Sequence, residues 1–185
     1  VIGGGIYGVS VAWKIGKLGH NVDLYEKENN ILQAASGINQ YRLHKGYHYP
    51  RSDETARDCK LGAELFAKEY GECIVRNTEN YYCISNKESK TSKEQFIDFC
   101  IRHKLNFLEK HCPLVKKEAV AVSVKVKEEI FDVNKLRSIC ERKLAENKVN
   151  VIFKSADIDS LSDYDFVVYA TYAYSNLPFK NKKYL

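Results

Sequence analysis

Glycines at the very start of the chain constrain its fold more than anything after them. Val1-Ile2-Gly3-Gly4-Gly5-Ile6-Tyr7-Gly8 has glycine at all three positions of the G-x-G-x-x-G spacing. The following residues give that spacing its context. Ile6, Val9, Val11, Ala12, Ile15 and Leu18 recur at close to the helical period, and Gly19 is a natural stop. Val22, Leu24 and Tyr25 then read as a short buried strand of the parallel type, ending at Glu26. In such a β-turn-α-β unit each glycine has a separate task. Gly3 permits the tight turn, Gly5 lets the backbone approach a pyrophosphate, and Gly8 lets helix and strand pack closely. The helix start turns N–H groups and a positive dipole end toward the phosphates. Glu26 lies about 20 residues on, where a carboxylate accepts from a ribose 2′-OH and repels a 2′-phosphate. The motif alone is weak evidence, and the plainer alternative is a simple β-turn-α connection. Strand, helix, second strand and acid in the expected order favour a dinucleotide site.

Composition excludes several classes. The chain of 185 residues is long enough for a substantial core. Its formal charge of +5, from 29 Lys and Arg against 24 Asp and Glu, is scattered over helix faces. It forms no basic stripe with aromatic platforms, so nucleic acid is not expected as a partner, and Lys182-Lys183 is too short to count. Cys59, Cys73, Cys83, Cys100, Cys112 and Cys140 show neither CxxC nor paired-histidine spacing, so no metal site is expected. They read as reduced thiols of a cytoplasmic protein. No stretch reaches the roughly 18 apolar residues of a membrane span. The absence of methionine, and a first strand of only Val1 and Ile2 before the turn, lead us to expect the N-terminal part of a longer protein.

The second informative stretch runs from Ala34 to Arg51, rich in Gly, Asn, His and Tyr. Its small residues allow close backbone approach to a bulky ligand. Ser52 or Asp53 is expected to cap a helix carrying Ala56, Cys59, Leu61, Ala63, Leu65, Phe66 and Tyr70 to a stop near Gly71. Tyr81 to Ile84 reads as a strand, and Thr91 with Glu94 as a capping box before a helix containing Phe96, Ile97, Phe99, Cys100 and Ile101. Pro113 marks a break. Val120, Val122, Val124 and Val126 alternate as a half-buried strand, with Ala121, Ser123 and Lys125 on the other face. Asp132 is expected to cap a helix with Val133, Leu136, Ile139, Cys140 and Leu144 on one side. Val149 to Phe153 and Phe166 to Tyr169 read as further strands, the latter leaving through Ala170, Thr171, Tyr172, Ala173 and Tyr174. The expected fold is α/β. A Rossmann-like nucleotide-binding domain, residues 1–76 and 129–185, is interrupted by an α+β substrate or cap domain of antiparallel sheet, residues 77–128, and is incomplete at the C-terminus.

With these pieces in order, the sequence from Val1 to about Ser175 resembles the FAD-dependent oxidoreductases that include D-amino acid oxidase, glycine and sarcosine oxidases, L-2-hydroxyglutarate oxidase and glycerol-3-phosphate dehydrogenase. The resemblance rests on Gly3 to Gly8 with Glu26, and on Ala35-Ser36-Gly37-Ile38-Asn39-Gln40, similar to the small-residue and Asn segment after the family's ribose contact. It rests further on Leu43-His44-Lys45-Gly46-Tyr47-His48-Tyr49, similar to the His-x-Gly and nearby Tyr of the hydroxyglutarate and glycerophosphate branches. Ile130 to Val133 with its helix, the strand at Val149 to Phe153, and Val168-Tyr169-Ala170-Thr171 resemble the family's return to its FAD domain. Tyr172 departs from the glycine often found after Ala-Thr, and Gln40-Tyr41-Arg42 is bulkier than usual.

The resemblance implies FAD as cofactor, with Gly3, Gly5 and Gly8 at the pyrophosphate and Glu26 at the ribose. It implies Ser36, Asn39 and Gln40 along the ribitol and isoalloxazine, and Ala170 and Thr171 at the other strand edge. His44 and His48 are the catalytic candidates, since imidazole titrates near neutral pH. The plainer alternative is two histidines hydrogen-bonded within a packed loop, and a further variant has His44 carrying FAD covalently. Arg42 and Arg51 are candidates for pairing with a substrate carboxylate, against ordinary ion pairing, and Tyr47 is a candidate for binding substrate, against aromatic packing. The implied activity is oxidation of a C–H bond next to an amine or hydroxyl of a small anionic substrate, with hydride transfer to flavin N5. Amino acids, hydroxy acids and phosphorylated polyols are all open. The alternatives are an NAD-dependent dehydrogenase, which shares the first βαβ unit, and a non-catalytic dinucleotide-binding fragment.

Overall fold

The computed structural model describes residues 1–157 and 159–172. The chain divides into two compact units, residues 1–40 with 134–185, and residues 41–133. The bounds expected from sequence, after 76 and after 128, both fall inside the second unit. Ala173, Tyr174 and Lys182-Lys183 lie outside the described residues.

The first unit is a parallel β/α arrangement. Helix α1 (Ile6–Lys17) follows the glycine turn and buries Val9, Ala12 and Trp13, three positions spaced for one helix face. Gly19, at φ +92°, ends the helix region in a conformation costly for other residues. Strand β1 (Asp23–Glu26) pairs in parallel with β7 (Asn150–Phe153), Tyr25 opposite Ile152. Helix α4 (Val133–Glu146) precedes β7 and buries Leu136, Ile139, Cys140 and Leu144. The Lys143 ammonium sits 4.4 Å from the Trp13 ring centre, joining α4 to α1.

Ile2 bridges in parallel to Tyr25 on one side and to Tyr169 on the other. Four chain segments therefore lie in the order β7, β1, residue 2, residue 169. This is how a doubly wound sheet opens, with its first segment between later ones. The strand expected over Phe166 to Tyr169 is reduced to that single bridge, and Phe166 is 89% exposed. Here the Ile2 N–H donates to the Val168 carbonyl and the Ala170 N–H to the Ile2 carbonyl.

The second unit is an α+β body. Helix α2 (Asp53–Tyr70) starts at Ser52, whose hydroxyl accepts the Thr55 N–H. Strand β2 (Ile74–Val75) pairs with β6 (Ile130–Phe131), and β5 (Val120–Val126) lies between β3 (Asn80–Ser85) and β4 (Phe107–Glu109), all antiparallel. Helix α3 (Lys93–Arg102) lays Phe96, Phe99 and Cys100 into one core with Val122, Val124 and Val126 of β5, Tyr47, Ala56 and Leu105. Each large side chain so buried contributes about 1.5–3 kcal/mol.

Two local expectations are corrected. The capping box is Ser92 with Gln95, one residue beyond Thr91 and Glu94. Thr91 is buried and its carbonyl accepts from Ser89, so the next hydroxyl takes the cap. Ser123, expected on the open face of β5, is also buried. The Cys112 N–H donates to its hydroxyl at 2.9 Å and the Lys110 N–H to its carbonyl at 3.1 Å, so that segment covers it. All six cysteines are free thiols. Among the described residues no helix is long and apolar enough to cross a membrane.

Candidate functional site

The glycine turn sorts its glycines by cause. Gly3 sits at φ +106°, and a Cβ there would lie 2.5 Å from the Ala170 carbonyl oxygen. At Gly8 a Cβ would lie 1.8 Å from the Gly3 carbonyl oxygen. Packing alone demands glycine at both. Gly5 is different, for its φ of −70° suits any residue, and a Cβ would meet nothing nearer than the Ser36 hydroxyl at 3.4 Å. Among the described residues, the fold gives no reason for glycine there. A ligand lying against the backbone would.

The donors around the turn fit a pyrophosphate. Gly5 caps α1 without a side-chain hydrogen bond, and the N–H groups of Gly5, Tyr7 and Gly8 have no acceptor among the described residues. The Ile6 N–H is already taken by the Ser36 hydroxyl at 3.0 Å. A helix start with open donors is an anion site by its dipole and geometry. At the end of β1, Glu26 accepts the Gly4 N–H at 2.6 Å and the Glu28 N–H at 2.9 Å, one on each oxygen. Both oxygens retain a second lone pair, so the carboxylate is held in place and still able to accept from a ribose.

The other expected cofactor residues are placed as follows. Ala170 closes the turn through its carbonyl, with Thr171 next to it and half-buried. Asn39 is exposed and its amide donates to the Ala35 carbonyl at 2.9 Å, within its own loop, and Gln40 is exposed beside it. Leu32, fully buried at φ +58°, donates its N–H to the Gly4 carbonyl and so ties that loop to the turn. Sequence periodicity carries no signal for that tie.

In the second unit, Arg42 and His44 meet on a residue not singled out from sequence, Glu128. Its side chain is wholly buried. Oε1 lies 3.1 Å from His44 Nδ1 and 3.3 Å from Arg42 Nε, while the Tyr82 hydroxyl donates to Oε2 at 3.0 Å. The main-chain carbonyl of Glu128 accepts from Thr78 and Asn80. The Arg42 guanidinium also stacks over the Tyr82 ring, 4.5 Å from its centre, and its Nη2 is buried with no hydrogen-bond partner among the described residues. Burial first, and then the Glu128 carboxylate, push the Tyr82 phenol far above its ordinary range.

Tyr47 is a core residue, stacked on Tyr82 at 5.5 Å and donating its hydroxyl to the Asn106 carbonyl at 2.6 Å. His48 is exposed, its ring 5.8 Å from that of His44 and 5.2 Å from that of Tyr49. Arg51 is exposed. Lys127-Glu128-Glu129 is a run of three charged residues. Yet Glu128 continues the even-numbered series Val122, Val124 and Val126 that faces inward, and that phase was its signal.

The model of a family described as FAD dependent oxidoreductase matches residues 1–171. The FAD-dependent monooxygenase kojA of Aspergillus flavus is 37% identical over 105 residues, covering 54% of this chain and 24% of that protein. The FAD-dependent monooxygenase FPY4 of Fusarium mangiferae is 37% identical over 89 residues, 48% of this chain and 24% of that protein. The chain thus spans about a quarter of these relatives. Among solved structures, L-alpha-glycerophosphate oxidase from Mycoplasma pneumoniae superposes with a TM-score of 0.65 at 21% identity, over 82% of this chain and 43% of that one. Glycine oxidase from Geobacillus kaustophilus gives 0.60 at 16% identity, over 82% and 45%. At such identities these two speak for the fold. With residues 1–171 matched and the glycine turn and its acid in place, the chain belongs to the FAD-dependent oxidoreductase family.

Proposed function

We propose that this chain carries the nucleotide-binding part of a flavoenzyme that oxidises a C–H bond next to a hydroxyl or amine of a small molecule. Gly5 carries the reading, as a glycine that packing does not require at the mouth of an open helix start. In this reading the Gly5, Tyr7 and Gly8 N–H groups hold the pyrophosphate, and Glu26 accepts from the ribose. Ser36, Asn39, Gln40, Ala170 and Thr171 complete the cofactor contacts. Held there, FAD would supply the acceptor for the two electrons and the proton of the breaking C–H bond.

His44 takes the second proton, from the substrate hydroxyl or amine. The electron pair left on oxygen or nitrogen then forms the new double bond to carbon. Its imidazole is about one-third exposed and, among the described residues, is hydrogen-bonded through Nδ1 alone, as an accessible base must be. Arg42 has its charge met by Glu128, with its buried Nη2 the donor left open among the described residues. That pairing favours a neutral alcohol or amine over a carboxylate at this point. Residues 41–133 serve as the substrate or cap domain.

The test is the absorption spectrum of the purified protein, followed by anaerobic addition of alcohols, hydroxy acids and amines. Flavin bands that bleach with one substrate class support the reading, and His44→Gln is then expected to slow turnover about 10²–10⁴-fold. A colourless protein that fails to take up FAD leaves the non-catalytic reading in its place. The relatives named as monooxygenases favour a second outcome, insertion of oxygen into the substrate. Isotopically labelled dioxygen separates the two, appearing in peroxide for an oxidase and in product for a monooxygenase.

A further inference from the structure

We infer that Glu128 is a positioning residue that fixes the proton of neutral His44 on Nδ1 and leaves Nε2 as the proton acceptor. The inference rests on the reading of His44 as the substrate's base. Glu128 lies against the Arg42 guanidinium on one side and accepts the Tyr82 hydroxyl on the other, and a carboxylate can only accept hydrogen bonds. The one His44 nitrogen facing it, at 3.1 Å, must then carry a proton. In a neutral ring the other nitrogen is bare.

The hold is rigid because Glu128 has no freedom of its own. Its side chain is fully buried, its main-chain carbonyl is tied to Thr78 and Asn80, and the adjoining Glu129 carbonyl accepts the Leu43 N–H at 2.9 Å. Residues 43 and 44 are therefore registered against 128 and 129 by backbone and side chain together. When Nε2 takes a proton, the positive charge forms beside a carboxylate already in place. A partner so arranged needs no reorganisation during the reaction.

Flavin-loaded protein labelled with 15N-histidine, with His44→Gln to assign the signal, reads the tautomer directly from long-range 1H–15N spectra. The expected result is a protonated Nδ1 and an unprotonated Nε2 in the neutral ring. A proton on Nε2 in the wild-type protein overturns the inference, whatever any variant does.

Glu128→Leu removes the acceptor and is expected to lower kcat about 100-fold with KM little changed and the flavin spectrum retained. Glu128→Gln keeps an oxygen at that position but not the charge, and is expected to keep the tautomer and to recover only part of the turnover that Glu128→Leu loses. A folded Glu128→Leu protein with wild-type tautomer and kcat overturns the inference. Should that variant not fold, the wild-type spectrum decides. Unchanged turnover in His44→Gln overturns instead the reading of His44 as base, a result read on a different variant.

Discussion

Gly5 and Gly8 are the same residue in the same motif, held there by different causes. Gly5→Ala adds a methyl that the fold accommodates, so the unfolding midpoint should stay unchanged while FAD affinity falls at least tenfold, about 1.4 kcal/mol, by equilibrium titration. Gly8→Ala places that methyl 1.8 Å from a carbonyl oxygen, so it should lower the midpoint itself. Equal losses of stability in the two would show that Gly5 is structural. Glu128 invites a similar dissection. Glu128→Ala leaves Arg42 without its counter-charge and should cost about 3–5 kcal/mol in urea unfolding, whereas Arg42→Leu with Glu128→Leu should recover much of that. At this scale the sequence was legible where chemistry follows a fixed spacing, as in Gly3, Gly5, Gly8 and Glu26. Glu128 was hidden because its buried phase lies inside a run of charges.

Elements with a long hydrophobic period were the readable ones. The core face of α4 follows directly from where apolar residues recur, whereas α1 adds Trp13 to the expected Val9 and Ala12 and leaves Leu18 exposed, and β5 keeps its valine face but buries Ser123 as well. Strands β2, β4 and β6 are two or three residues long, too short for any period to register. Their places are set by partners far away in sequence, such as Ile74 opposite Phe131. Caps fall between these cases. Choosing Thr91 over Ser92 depends on which hydroxyl is buried, a tertiary fact. Ser92→Ala is accordingly expected to destabilise the second unit by about 1 kcal/mol in thermal or urea unfolding. No change would mean that the box is not formed in solution.

At the level of the whole molecule, buried phenols set an alkaline limit. Burial is the main reason Tyr47 and Tyr82 resist ionisation in the folded state, reinforced for Tyr47 by Cys100 and for Tyr82 by Glu128. Their folded pKa values are raised, so the stability linked to them is fully present below the unfolded value of about 10 and is lost as pH rises beyond it. Phenolate absorbance should show both titrating only as the protein unfolds. Reversible titration with the exposed tyrosines, judged against Tyr47→Phe and Tyr82→Phe, would contradict the burial.

The first unit has a different dependence on its chain, because its glycine turn is closed from above by residue 170. Gly3 donates to Tyr25 and packs under the Ala170 carbonyl, while Ile2 bonds to Val168 and Ala170. On a ribosome, the opening residues leave the exit tunnel long before those that seal them. The nascent nucleotide cradle must wait, half-made, through the synthesis of the entire second unit. Cofactor capture then waits until residue 170 has emerged, and a chain stopped before residue 168 should carry no FAD even when FAD is abundant.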